Sequence, residues 1–106
     1  MRRIGEAKSY EECIEVPGGE ARELVVDPVE LAGRRITDWD GYVAAEGAGT
    51  VEVYRDVGGI RVQAASAQLE GEPWFYVLRD TVRYAVVASA GEGGAVRACV
   101  RLNFYG

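Results

Sequence analysis

The 106-residue chain has no histidine, a single lysine (Lys8) beside eleven arginines, a single asparagine (Asn103) and only two cysteines, Cys13 and Cys99. Without histidine, neither a Ser-His-Asp nor a Cys-His nucleophile can be assembled within the chain. Two cysteines without histidine also make a poor zinc site. No apolar run approaches the length of a membrane span. The start "MRRIGEAKSY" lacks the apolar stretch of a signal peptide, so the expectation is synthesis in the cytoplasm without Sec export. There is no phosphate-binding loop: "GEGG" at Gly91–Gly94 lacks the following Lys-Ser/Thr and precedes a strand pattern, so it reads as a turn. A net charge of −5 with arginines scattered along the chain gives no basic face, which argues against nucleic-acid binding. Scarce Asn and Gln fit a thermophilic source. The preference for arginine is also what a GC-rich genome yields.

What is present is alternation with a period of two, the signature of half-buried strands. The length suits one domain, and the expected division is an N-terminal arm over residues 1–9 followed by one body over 10–106. The reading runs as a strand near Tyr10–Val16, the turn "PGGE", and a strand at Arg22–Val26. Asp27 then caps one helical turn near Pro28–Ala32, with Pro28 at its first position and Gly33 ending it. "RRITDWDGYVAAE" reads as a strand with a bulge near Asp40–Gly41, and "GAGT" as the next turn. "VEVYRD" and "IRVQAASA" around "VGG" form the clearest hairpin. "WFYVLRD", "TVRYAVVAS" and "VRACVRLNFY" complete the series. Roughly seven to nine short strands with Gly-rich turns predict an all-β, antiparallel β-sandwich or jelly roll.

The cysteines sit in matching frames. Glu11 and Glu15 share a strand face with Cys13, and Arg97 and Arg101 share one with Cys99. Antiparallel pairing with Cys13 opposite Cys99 puts Glu15 opposite Arg97 and Glu11 opposite Arg101. Parallel pairing instead aligns Glu11 with Arg97 and Glu15 with Arg101. A hairpin-rich sequence favours the antiparallel choice. Two outcomes stay open for the thiols: a Cys13–Cys99 disulfide, or two reduced cysteines of the kind a cytosol maintains.

Other candidates come from residue type. Asp38 and Asp40 before Gly41, with Asp56 or Asp80 from a neighbouring loop, offer oxygen donors to calcium; turn and bulge formation explains the same residues. Trp74 and Tyr76, with Tyr54 and Trp39, could stack on a sugar, although large aromatics more often fill a core or an interface. "YAVVASA" is apolar at both parities, so Val87 faces outward if Val86 faces inward, and Val25 does likewise beside Leu24 and Val26. A strand apolar on both faces needs cover on both, which makes Val25, Val87, Trp74 and Tyr76 interface candidates in a homo-oligomer.

"GYVAAEGAGTVEVYRDVGGIRV" followed by "LRDTVRYAVVASAGEGGAVRACVRLNFYG" resembles the small β-sandwich accessory proteins of tailed viruses, over Gly41–Gly106. The resemblance implies a non-enzymatic virion protein, made in the host cytoplasm, that decorates a capsid or builds a head or tail fibre. It would bind the major capsid protein or another virion protein by shape and contact, with no catalytic residue and no cofactor. The alternative is a carbohydrate-binding β-sandwich module using Trp74 and Tyr76, with calcium at the aspartate loops.

Overall fold

The computed structural model describes residues 8–32 and 38–105. In chain order these form β1 (Lys8–Pro17), β2 (Ala21–Val26), the helical turn α1 (Pro28–Ala32), β3 (Asp38–Val57), β4 (Ile60–Glu70), β5 (Trp74–Leu78), β6 (Tyr84–Ala90) and β7 (Ala95–Tyr105). Every pairing is antiparallel, and the fold is the expected all-β sandwich. β1 begins at Lys8, so Lys8 and Ser9 belong to the sheet, opposite Phe104 and Asn103, and not to an arm. The remainder of the expected arm lies outside the described residues.

The registers reveal a simple plan. β4 and β5 run in the same direction along one edge of β3, β4 opposite Ala48–Val57 and β5 opposite Gly41–Ala45. β6 and β7 do the same along its other edge. β1 then continues the sheet beyond β7, and β2 beyond β6. The molecule is therefore a ribbon of four long strands, creased once across all four and folded onto itself. Sheet A holds β1, β7, the first half of β3, and β5. Sheet B holds β2, β6, the second half of β3, and β4.

Glycine makes the crease possible. Each long strand has one left-handed glycine there: Gly19, Gly47, Gly71 and Gly93. At Gly47 (φ 124°) a side chain is excluded twice over, by the backbone conformation and because a Cβ would stand 2.0 Å from the Ala95 carbonyl oxygen. Hydrogen bonds tie the four strands at the fold line: Gly71 N–H donates to Gly47 O (2.9 Å), Gly91 N–H to Ala48 O (3.1 Å) and Gly19 N–H to Ala90 O (3.1 Å).

Two expectations are corrected here. "GAGT" is no turn: β3 passes through it as one twenty-residue strand and changes sheet there. The bulge expected near Asp40–Gly41 is also absent, since β3 and β7 stay in unbroken register from Asp38 to Gly47. The irregularity falls at Val53/Tyr54, where β4 carries the extra residue Ala64. The hairpin closes as expected on Gly58 and Gly59, both left-handed, with Val57 opposite Ile60.

The core between the layers is rich in Val and Ala, including Val16, Val43, Val51, Val86, Val100 and Leu102, all essentially inaccessible. Small side chains let the layers close without large voids. Tyr84 is the largest fully buried residue. Its hydroxyl accepts from the Asp80 N–H (2.8 Å) and donates to the Asp80 carbonyl (2.9 Å), which fixes the loop between β5 and β6. Burial pushes the Tyr84 phenol above its ordinary range. α1 is capped by Asp27, whose Oδ1 accepts from Val29 N–H (3.0 Å) and Glu30 N–H (3.4 Å). The expected stop at Gly33 lies outside the described residues.

Candidate interaction surface

Positions of even number on β3, and of odd number on β1, β5 and β7, face outward from sheet A. This outer face runs from β1 across β7 and β3 to β5, and its two margins differ. On the β1 side, Cys13 stands opposite Cys99 and the two form a disulfide spanning 86 residues. Glu15 lies opposite Arg97 and Glu11 opposite Arg101, with ion-pair separations of 3.5 and 3.8 Å. Arg97 also approaches Cys13 Sγ at 3.7 Å. All four charges are well exposed, so each pair contributes at most about 1 kcal/mol. The covalent bond dominates this margin.

Towards β3 a polar cluster follows. Asp40 accepts from Asn103 Nδ2 (2.9 Å) and from the Tyr105 hydroxyl (3.0 Å). The hydrogen bond to Asp40 pushes the Tyr105 phenol up, with desolvation second. Both oxygens of the Asp40 carboxylate are thus engaged by cross-strand donors. Asp80 is bonded to Arg55 in the β5–β6 loop. Among the described residues no group of three or more acidic or thiol side chains could hold a metal ion, so Asp38 and Asp40 do not assemble a calcium loop with Asp56 or Asp80.

The β5 margin is apolar. Phe75 and Val77 project outward, 63% and 52% exposed, and Tyr42 packs beside Phe75 with ring centroids 6.2 Å apart. Trp74 and Tyr76 have the opposite parity. They face inward with Val43 and Ala45, pack against the core, and stack on each other at 6.1 Å and 7°. Of the interface candidates on β5, Trp74 and Tyr76 thus face inward, and the two exposed residues, Phe75 and Val77, alternate with them. Trp39 also packs against the core, and its indole N–H donates to Thr81 Oγ1 (3.0 Å).

Sheet B corrects a second inference. The outward side of β6 carries Ala85 and Val87, yet Ala85 is only 4% exposed within the single chain. It lies opposite Tyr54 on β3 and Val25 on β2. The Arg61 guanidinium sits 5.7 Å from the Tyr54 ring centroid and pairs with Glu23 across the sheet (2.7 Å). Much of the cover that β6 requires is thus supplied by the chain itself. Val87 is half-buried in the same face, and Val25 stays 46% exposed at its edge.

No family model matches the chain, and no curated protein matches it by sequence. Solved structures do match by fold. One is that of Bacillus endospore appendages, a family of disulfide-linked pili (12% identity, TM-score 0.58, 93% of this chain and 88% of that one). Another is the Yersinia pseudotuberculosis-derived mitogen (12% identity, TM-score 0.52, 90% of this chain and 84% of that one). At these identities the likeness is one of fold. Among the described residues no helix is long and apolar enough to cross a membrane.

Proposed function

We propose that this chain is a non-enzymatic structural subunit that works by contact with copies of itself and with other components of a shell or fibre, the virion of a tailed virus being the setting its sequence resembles. The observation that carries this reading is the outer face of sheet A, where a disulfide-clamped, charged side adjoins an exposed apolar strand. Exposed apolar surface on a rigid sheet is a contact surface. The pilus likeness supports the reading in one respect: the same fold serves elsewhere in an assembled structure. In the proposed setting the subunit is made in the host cytoplasm and stiffens a shell by docking on the major capsid protein.

Sedimentation velocity and negative-stain microscopy of the purified chain, over a wide concentration range, test it. The expected result is a concentration-dependent homo-oligomer. A strict monomer that also fails to bind shell protein overturns the reading. The carbohydrate-binding alternative loses its platform because Trp74 and Tyr76 pack on the core; glycan binding abolished by Trp74→Ala would restore it.

A further inference from the structure

Four strands border the folded ribbon: β1 and β2 on one side, β4 and β5 on the other. An edge strand presents unpaired N–H and C=O groups that template pairing with another chain, and natural proteins guard such edges with charge. β1 is guarded by Lys8, Glu11, Glu12 and Glu15. β2 carries Arg22 and Glu23, and β4 carries Arg61 and Glu70. β5, "WFYVL", carries no charge and among the described residues pairs only with β3. It is also where the exposed apolar side chains of sheet A lie.

The geometry points to β5 as a two-fold interface, at which the β5 strands of two copies pair antiparallel about Tyr76 and join their A sheets into one. This rests on the structural-subunit reading and names its contact. Three features select this partner and register. Centring on Tyr76 uses all five residues and places Phe75 opposite the partner's Val77 twice, an aromatic–β-branched pair on the outer face. The inward residues pair likewise, Trp74 with the partner's Leu78. The flanks have opposite sign, Glu72 before the strand and Arg79 after it, both exposed. Antiparallel pairing brings Glu72 towards the partner's Arg79 at both ends, whereas parallel pairing would stack like charges. Shifting the centre to Phe75 would draw Pro73, which has no N–H, into the ladder.

Charge substitutions at the two exposed positions test this without touching the core. Phe75→Lys with Val77→Lys sets lysine against lysine twice in the proposed register, and should raise the dimer dissociation constant by at least about tenfold, a change of roughly 1.4 kcal/mol. Phe75→Lys with Val77→Glu sets lysine against glutamate twice, and should recover most of that loss. Sedimentation equilibrium reads the constants, and thermal melting checks that each variant folds like the parent. Association unchanged in the Lys/Lys variant, or lost equally in the Lys/Glu variant, overturns the β5 pairing while leaving assembly through another surface intact. A parent that is monomeric at every concentration also overturns the β5 pairing, and it removes the structural-subunit reading as well only if it fails to bind shell protein.

Discussion

The two margins of sheet A are built on the same backbone grammar and finished in opposite ways. At the β1 margin a covalent bond between Cys13 and Cys99 joins the edge strand to its neighbour, and charges on the outer face discourage any further strand from pairing there. At the β5 margin five uncharged residues end the sheet, and the apolar side chains that a single chain cannot cover are left in solvent. One margin is closed by a covalent bond and the other leaves apolar side chains exposed, which under the proposed function is the side open for contact. A subunit that must be rigid before it assembles can keep these tasks on separate strands, so that neither compromises the other.

The strongest way to break the contrast is to remove the covalent clamp. Replacing both Cys13 and Cys99 by serine should lower stability by about 4–5 kcal/mol in the chain-entropy account of a loop this long. That corresponds to a melting temperature lower by on the order of 15 °C or more, readable by calorimetry with and without reductant. The β5 margin has a non-covalent anchor in Tyr84, and Tyr84→Phe should cost about 1–2 kcal/mol in urea unfolding, since it leaves the Asp80 N–H without its partner while the Asp80 carbonyl keeps only the Val82 N–H (2.9 Å).

Alkali probes the β1 margin through Tyr10. Burial first, then the hydrogen bond to Glu12, pushes the Tyr10 phenol up to about 12. A folded-state pKa raised above the unfolded value near 10 favours the fold while the phenol keeps its proton. That contribution is whole below about pH 10 and is lost as pH rises through about 12. Stability measured across this range should fall, and Tyr10→Phe should flatten part of the slope; Tyr54, Tyr84 and Tyr105, whose phenols are also raised, account for the rest.

The smallest effects sharpen the comparison. Breaking the exposed pairs with Glu15→Gln or Arg97→Gln should cost under about 1 kcal/mol and vanish in high salt. Phe75→Lys should leave the stability of the monomer unchanged to within about 0.5 kcal/mol, because its side chain is already in solvent, while altering association. A large loss of monomer stability in Phe75→Lys would show that β5 is held by more than its pairing with β3.

Much of this was legible in residue order. Alternation located β1, β4, β7 and the two halves of β3, and the Val-Gly-Gly-Ile step located a tight hairpin, because two left-handed glycines between alternating strands suit a two-residue reversal. The Glu-Cys-Glu and Arg-Cys-Arg frames carried the β1–β7 register, because side chains two apart share a face and opposite charges align. What only the tertiary structure decided was the meaning of the other glycine-rich breaks. "PGGE" and "GEGG" do make local turns, with Glu20 N–H donating to Pro17 O and Gly94 N–H to Gly91 O (3.1 Å each), yet like "GAG" and "GEP" they carry the chain on into the second layer. A left-handed glycine serves a turn and a crease equally, and which one forms depends on the strand lying alongside. The same holds for the outward residues of β5 and β6. Both sequences are apolar at both parities, and it is the position of β6 beneath Tyr54 and Arg61, against that of β5 at an open edge, that covers one and exposes the other.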